Sequence, residues 1–259
     1  MNEYVLEAKK ITKVYGMDTE NEFEALHNID FCVKPNEFIC VMGPSGSGKS
    51  TFINNISTID MPTKGSVRIQ GVNLREMSAQ EIGRFRYQNL GFVFQDFNLL
   101  DTHTLFENIA MPLSLAKVLK KDIQERVQSI ALKMGIDHLL NKYPHECSGG
   151  QKQRAAICRA LIANPKIIIA DEPTGNLDSV NSHELLMTFK KLNEQENATI
   201  IMVSHDPMIA SYSSRLIYIK DGKIEETVSR EGLSQDEYFQ RIVDINSLES
   251  RKLFGKDDV

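Results

Sequence analysis

A glycine-rich stretch, "GPSGSGKST", restricts the possible fold more than any other feature of this sequence. Residues 43–51 match the spacing GxxxxGK[ST], and they follow an apolar run that begins at residue 37. In such a loop, backbone N–H groups can surround phosphate oxygens, and the start of the following helix adds a favourable potential. A buried strand, a phosphate loop and a helix in this order predict an α/β sheet.

The phosphate-loop prediction covers these residues: Gly43, Pro44, Ser45, Gly46, Ser47, Gly48, Lys49, Ser50 and Thr51. We expect Lys49 to contact the β and γ phosphates of a nucleotide and Ser50 to bind Mg²⁺. The simpler alternative, a chance glycine turn before a helix, is disfavoured by the strand context. The motif also fits a GTPase or a small kinase, so other residues must distinguish these classes.

A second apolar run, "KIIIAD", ends in two adjacent carboxylates, Asp171 and Glu172. The carboxyl ends of buried strands meet at the edge where α/β folds bind ligands, so both groups should lie beside the phosphate loop. Asp171 then suits Mg²⁺, while Glu172 suits an attacking water that must be oriented or deprotonated. A kinase with a second substrate does not need a base for water, so the pair favours hydrolysis over a solvated acidic strand end.

Hydrophobic periodicity predicts the remaining sheet strands. Residues 4–10 and 29–34 alternate apolar and polar positions, which is typical of half-exposed antiparallel strands, whereas residues 166–171 and 199–205 are nearly continuous apolar runs. Residues 215–228 predict a hairpin that turns at Asp221-Gly222 and closes an edge of the sheet.

Two helical regions follow from capping boxes. Thr104 and Glu107 begin a helical pattern that continues to about residue 163, which predicts an inserted helical subdomain. Ser234 and Glu237 predict a short C-terminal accessory helix followed by a frayed tail. The apolar stripe of that helix is predicted to contain Phe239, Ile242, Val243 and Asn246.

Composition limits the class of protein further. The 259 residues carry a net charge of −5, which argues against nucleic acid as the main partner. The four cysteines show no CxxC spacing and suit free thiols in a reducing compartment. Because no apolar run approaches the roughly 18 residues of a membrane span, any work at a membrane requires another chain.

Taken together, the motifs resemble the nucleotide-binding subunit of an ABC transporter, over residues 4–228. The matching segments are residues 43–51, Gln95, 147–151, 170–173, 176–178 and His205. Within that superfamily, "PTGNLD" and "FVFQDFNLLDTHTLFENIAMPL" resemble ATPases of lipoprotein-release and macrolide-export transporters. The stretches "FQDFNLLDT" and "KYPHECSGGQKQR", with the C-terminal helix, most resemble bacitracin-type antimicrobial-peptide resistance ATPases of Gram-positive bacteria.

The resemblance implies a P-loop NTPase core of ABC ATPase type, with an antiparallel β subdomain and an inserted α-helical subdomain. The ATPase domain would span residues 1–230, with the helical subdomain at about 97–163. Residues 231–259 would form the accessory helix and tail.

The same resemblance implies a shared nucleotide site. Two copies would face each other head to tail, with each ATP between one phosphate loop and the other copy's Ser148, Gly149, Gly150 and Gln151. Glycine would be required there because a Cβ would hold the chain away from the γ-phosphate. Most relatives carry Leu or Ile where this sequence has Cys147, so a redox role and a packed thiol are both open.

Other site residues are assigned by position in the family pattern. Tyr15 would stack on adenine, and Asp178 would lie in the loop that spans the dimer interface. Gln95 would contact Mg²⁺ and the attacking water, and it begins the segment that contacts the membrane partner. His205 would sense the γ-phosphate. Tyr15, Gln95 and His205 could each also have an ordinary structural role, and the five remaining histidines receive no role.

The resulting prediction is an ATP- and Mg²⁺-dependent ATPase in which Glu172, Gln95 and His205 act in catalysis and Ser50, Gln95 and Asp171 bind the metal. By dimer closure it would power a separate permease at the cytoplasmic membrane face, with peptide resistance as the expected role. The alternatives are a lipoprotein-release or macrolide-export ATPase, or a signalling module that reaches a sensor histidine kinase through the permease. The absence of zinc cysteines and of a coiled-coil insertion disfavours a soluble DNA-repair or translation ATPase, and "SGGQ" disfavours a guanylate-kinase-like enzyme.

Overall fold

Ten strands form two β-sheets in the computed structural model, which describes residues 3–254 and the side chains of residues 3–247. The strands are β1 (Leu6–Tyr15), β2 (Phe23–Val33), β3 (Phe38–Met42), β4 (Lys64–Ile69), β5 (Val72–Asn73), β6 (Leu90–Phe94), β7 (Ile167–Asp171), β8 (Ile200–Val203), β9 (Arg215–Lys220) and β10 (Lys223–Ser229). The smaller sheet is antiparallel, in the order β2-β1-β4-β5. The larger sheet has the order β10-β9-β3-β8-β7-β6, and only its edge strand β10 is antiparallel.

Eight α-helices surround these sheets in the described part of the chain. They are α1 (Lys49–Ile56), α2 (Ala79–Asn89), α3 (Leu105–Leu115), α4 (Lys120–Lys133), α5 (Gly149–Leu161), α6 (Ser179–Glu196), α7 (Pro207–Ala210) and α8 (Gln235–Phe254). The predicted α/β class, antiparallel subdomain and helical insertion are confirmed by this architecture.

The central parallel strands are buried because both faces of the larger sheet are covered. Every residue of β3 and β8 is buried, and in β7 only Asp171 is partly exposed. On one face, Phe52 of α1 packs with residues of the smaller sheet, such as Leu6. On the other face, Phe189 of α6 and Tyr238 of α8 join the core. Continuous apolar runs therefore predicted these strands correctly.

The helical subdomain has its own apolar core, which includes Leu105, Ile109, Val127 and Cys158. The predicted capping box begins α3: Thr104 Oγ1 accepts from Glu107 N at 3.2 Å, and Glu107 Oε2 accepts from Thr104 N at 2.8 Å. A cap of this kind typically stabilises a helix by about 1 kcal/mol. Helix α3 therefore starts where the sequence predicts it.

The C-terminal helix differs from its prediction in length and in its buried face. It spans twenty residues, so the predicted short helix was wrong, although its capping box at Ser234 and Glu237 is confirmed. The most buried side chains are Tyr238, Ile242 and Ile245, while the other predicted stripe residues are half-buried. Tyr238 enters the core because its hydroxyl lies 3.4 Å from Ser213 Oγ. The end of the predicted tail, residues 255–259, lies outside the described residues.

Periodicity did not predict β4, β5 or α2, which are short or rich in polar residues. Across residues 3–254, no helix has both the length and the apolar character that a membrane crossing requires.

Candidate functional site

The phosphate loop connects β3 to α1 and depends on glycine geometry. Gly43, Gly46 and Gly48 all have positive φ values, of 151°, 76° and 100°. A Cβ on Gly43 would lie 1.9 Å from the carbonyl oxygen of Ile219 in β9, so this position excludes every side chain. A Cβ on Gly46 would meet no atom within 4 Å, which leaves open space on that side of the loop. Glycine therefore allows the loop both to pass close to β9 and to curl.

Lys49 lies within the loop that it is predicted to serve. Its Nζ donates hydrogen bonds to the carbonyl oxygens of Gly43 and Pro44, both at 2.8 Å. Burial lowers the pKa of Lys49, and the nearby carboxylates Glu172 and Asp171 partly offset that effect. A phosphate would give this half-buried ammonium an anionic partner in place of two neutral carbonyls.

Two helix starts offer uncompensated positive potential. Helices α1 and α5 have no acidic residue in their first turn or at their N-cap, whereas α2, α3, α4 and α8 have at least one in the first turn and α6 and α7 have an Asp N-cap. The α1 N-cap is Gly48, which has no side chain to cap the helix. Free N–H groups at a helix start attract anions, so α1 and α5 are both suited to phosphate.

Glu172 and His205 form a contact at the carboxyl edge of the larger sheet. Glu172 follows β7, His205 follows β8, and His205 Nδ1 lies 3.0 and 3.1 Å from the two carboxylate oxygens of Glu172. Glu172 has a positive φ of 44° and is held there by a backbone hydrogen bond to Val203 O at 3.1 Å. A non-glycine residue in this conformation costs about 1 kcal/mol or more, and such strain occurs most often at functional sites.

Asp171 is the last residue of β7, beside Glu172. Burial and the neighbouring Glu172 raise the pKa of its carboxyl group, against an opposing effect of Lys49. The charges of Asp171 and Glu172 act on Lys49, so the phosphate loop and the two carboxylates lie close together.

The residues present fit a magnesium ion that is held mainly by substrate. Among the described residues there is no group of three or more His, Cys, Asp or Glu side chains that could hold a metal. Mg²⁺ commonly binds through one or two protein oxygens, substrate phosphates and water, so Ser50, Asp171 and Gln95 suffice. When bound, Mg²⁺ would neutralise phosphate charge. Ser47 Oγ, also in the loop, is buried without a hydrogen-bond partner, as expected for a loop that completes its bonding with a ligand.

Gln95 lies at the same edge, directly after β6. The strand registers pair Phe94 with Asp171 and Asp171 with Val203, which places Gln95, Glu172 and Ser204 at one level. A Cβ on Gly175 would lie 2.8 Å from the Gln95 side chain, so the two residues are in close contact. The structure thus brings together the phosphate loop, Asp171, Glu172, Gln95 and His205, which we call the edge cluster.

The segment 148–151 is not joined to this cluster. Of the hydrogen bonds and ion pairs within the described residues, none links 148–151 to 43–51. Ser148 is the N-cap of α5, where its Oγ accepts from Gln151 N at 3.4 Å and Gln151 Oε1 accepts from Ser148 N at 2.9 Å. This capping box was not predicted, although its Ser-x-x-Gln pattern was visible in the sequence.

The two glycines of this segment have different surroundings. A Cβ on Gly150 would lie 2.3 Å from Asn181 Oδ1 on α6, whereas a Cβ on Gly149 would meet nothing closer than 3.7 Å. A side chain at position 150 would therefore require the Asn181 side chain to move. At position 149 packing leaves room, so a ligand requirement is the better explanation for glycine.

Tyr15, Asp178 and Cys147 have in-chain contacts that the sequence did not reveal. Tyr15 is 40% exposed, with the Lys13 ammonium 5.0 Å from its ring centroid, and its hydroxyl donates to Asp60 Oδ2 at 3.0 Å. Asp178 caps α6 by accepting from Asn181 N at 2.9 Å. Burial raises the pKa of Cys147, which disfavours a reactive thiolate and supports the packed-thiol reading.

A cavity of about 760 Å³ lies elsewhere, near the amino ends of β7 and β8, where Lys166 and Thr199 contribute to its lining. It contains none of the predicted site residues. The edge of the sheet that carries Glu172 and His205 lies outside this cavity, and the His205 side chain is exposed there.

The fold and this edge cluster define a nucleotide-hydrolysing cassette, and the chain belongs to the ABC transporter family, whose sequence profile matches residues 26–175. It is 47% identical over 244 residues to the ABC transporter ATP-binding protein YxdL of Bacillus subtilis, covering 94% of each chain. It is 46% identical to the bacitracin export ATP-binding protein BceA of Halalkalibacterium halodurans, covering 92% of this chain and 94% of that one.

Solved structures agree with this assignment. The dimeric, post-hydrolysis structure of the ATP-binding cassette MJ0796 from Methanocaldococcus jannaschii, bound to ADP and Pi, superposes with a TM-score of 0.80 at 39% identity. The match covers 88% of this chain and all of that one. The protein is thus the nucleotide-binding ATPase subunit of a transporter, with ATP and Mg²⁺ as its nucleotide and metal. The MJ0796 cassette was solved as a dimer.

Proposed function

We propose that this subunit powers a transporter that confers resistance to bacitracin-type antimicrobial peptides, and that it acts at the cytoplasmic face of the membrane through its permease. The observation that carries the hydrolytic part is the strained Glu172, held by His205 beside the phosphate loop. The similarity to BceA over 92% of the chain supports the peptide-resistance part.

In this proposal, each side chain of the edge cluster has a separate task. Lys49 exchanges its two carbonyl partners for the β and γ phosphates of ATP. Glu172 accepts a proton from the attacking water, and His205, which donates to the Glu172 carboxylate, fixes the direction in which that carboxylate points. Gln95, whose side chain packs closely against Gly175, orients the same water. Catalysis follows from positioning and charge stabilisation more than from covalent chemistry.

A second copy would complete the site. Its Ser148, Gly149, Gly150 and Gln151 would approach the γ-phosphate with the uncompensated start of α5. ATP would then hold two subunits together, and hydrolysis would release them, so that nucleotide turnover drives the permease between two states.

The test is a complementation experiment in a strain that lacks this subunit. Expression of the natural chain is expected to restore bacitracin tolerance, while Glu172→Gln at the same protein level is not. The permease that copurifies with the chain, reconstituted with it in vesicles, should show ATP turnover that increases with bacitracin and not with a macrolide.

Three outcomes would contradict the peptide-resistance proposal. Turnover that responds to a macrolide or to a lipoprotein would place the chain with the export or lipoprotein-release ATPases. Tolerance restored by Glu172→Gln would mean that hydrolysis is not required. Bacitracin tolerance could instead depend on a sensor histidine kinase. If deleting the subunit had no effect on tolerance once the kinase was held constantly active, the subunit would belong to a signalling module.

A further inference from the structure

Residues 95–98, which follow β6, receive hydrogen bonds from two other parts of the chain. We call these four residues the β6 exit segment. Arg159 of α5 donates to the carbonyl oxygen of Phe97 at 2.7 Å and also to that of Asn98. Phe97 and Asn98 have positive φ values of 61° and 48°, so their backbone is held in an unusual conformation. One end of the segment is therefore fastened to the helix that Ser148 caps.

Asn176 fastens the other end. Its side-chain Nδ2 donates to the carbonyl oxygen of Gln95 at 3.1 Å and to Asp96 Oδ1 at 2.8 Å. Asn176 lies between Gly175, which touches the Gln95 side chain, and Asp178, which caps α6. One amide group thus joins the loop between β7 and α6 to the β6 exit segment, which lies about 80 residues earlier in the chain.

The position of this contact gives it a mechanical consequence. Leu100, just beyond the exit segment, is 44% exposed and belongs to the apolar stretch predicted to contact the permease. The loop 175–178 belongs to the face that a second copy would cover under the proposed function. A displacement of that loop is passed to the exit segment as long as the two Asn176 hydrogen bonds hold.

We propose that Asn176 is a positioning residue that transmits ATP-dependent closure of the dimer to the permease-facing segment. The inference rests on the proposed function, because it requires closure around ATP. The residue type fits the task, since an amide can donate to a backbone carbonyl and a carboxylate at once, whereas an aspartate at the same position could donate to neither.

The contact between Asn176 and Asp96 can be tested by exchanging the two residue types. In Asn176→Asp, two carboxylates would face each other and both donated bonds would be lost. In Asp96→Asn, the new amide oxygen can still accept from Asn176. In the double variant, Asn at position 96 can donate to Asp at position 176, which restores the contact with position 96 but not the hydrogen bond to the Gln95 carbonyl oxygen. Asp96→Asn therefore serves as the control, and the double variant as the rescue.

The natural chain contains no tryptophan, so Leu100→Trp provides a single fluorescent reporter next to the exit segment. All variants would carry this reporter together with Glu172→Gln, which is expected to retain ATP. Two quantities are measured on the same samples: dimerisation on addition of MgATP, by light scattering, and the ATP-induced shift of tryptophan emission.

We expect the parent and Asp96→Asn to dimerise and to show the emission shift, and the double variant to dimerise and to recover part of that shift. Asn176→Asp is expected to dimerise but to lose the shift. A full shift in Asn176→Asp, or no recovery in the double variant, would overturn the role of Asn176. Loss of dimerisation in Asn176→Asp that the double variant restores would also overturn it, because Asn176 would then act on closure itself. A parent that does not dimerise would refute the proposed closure and, with it, this inference.

Discussion

Glu172 is the residue at which backbone conformation, charge and position coincide. Its left-handed φ and its contact with His205 are maintained by the ends of two neighbouring strands, β7 and β8. Contacts within the chain therefore orient the carboxylate, which is what the proposed general base would require.

Replacement of Glu172 by Gln is expected to preserve ATP binding and to slow hydrolysis by at least about 10²-fold, the usual effect of losing a well-placed catalytic group. The measurement is single-turnover hydrolysis beside a nucleotide titration. Asp206→Asn, which alters the helix cap next to His205, is the control and should hydrolyse ATP at close to the natural rate. Near-natural turnover in Glu172→Gln would show that another group activates the water.

Substitution of Asp171 is expected to stabilise the folded chain and to impair ATP hydrolysis. Because its pKa in the folded chain is raised, its charged form costs stability at neutral pH, and that cost disappears as the pH falls below the ordinary range for Asp. Asp171→Asn should therefore raise the melting temperature of the nucleotide-free chain at pH 7, by about 2 °C, and much less near pH 4.

Asp171→Asn is also expected to lose activity, because an amide is a poor ligand for Mg²⁺. MgATP hydrolysis by Asp171→Asn should fall sharply while the melting temperature rises. A lower melting temperature at pH 7 would mean that the attraction between Asp171 and Lys49 outweighs the cost of burial.

At the scale of elements, the sequence predicted what depends on local pattern. Continuous apolar runs located β3, β7 and β8, and capping boxes located the starts of α3 and α8. Other contacts near the site join residues that are far apart in sequence, such as Asn176 with Gln95 and Gly150 with Asn181. No local pattern encodes these pairs, so periodicity could not find them. The predicted stripe of α8 missed Tyr238, whose buried hydroxyl lies near Ser213 Oγ and donates to the Val228 carbonyl oxygen, contacts that the helix pattern does not encode.

The apolar stretch after the exit segment gives a prediction for permease docking. Leu99 packs partly against the helical-subdomain core, whereas Leu100 is more exposed, so Leu100→Ser should change folding stability by less than about 0.5 kcal/mol. We expect it to abolish stimulation of ATP turnover by the permease and to leave nucleotide affinity unchanged.

Leu119→Ser provides the matched control, since Leu119 is 74% exposed at the start of α4. It should retain both copurification and stimulation. Full stimulation in Leu100→Ser, or an equal loss in both variants, would place the docking surface elsewhere.

For the whole molecule, the open phosphate face and the separate start of α5 make a shared site testable with mixed dimers. One dimer combines a Lys49→Ala protomer with a Ser148→Arg protomer; the other combines a doubly substituted protomer with a natural one. If each ATP lies between a phosphate loop and the partner's α5, the first dimer keeps one intact site and the second keeps none. The measurement is ATP trapped in the closed dimer, since coupling between sites can silence turnover. Trapping only in the second dimer would show that each chain builds its own site.

The neighbouring glycines at the start of α5 carry a consequence for how this lineage could change over time. A side chain at position 150 would displace the Asn181 amide in any copy that folds this way, whether or not that copy hydrolyses ATP. Position 149 has no such internal constraint, so selection on the nucleotide site alone would preserve its glycine. A duplicated copy that lost its ATPase activity would be expected to accumulate substitutions at position 149 before position 150. A homologue that keeps glycine only at position 150 would therefore be expected to be inactive.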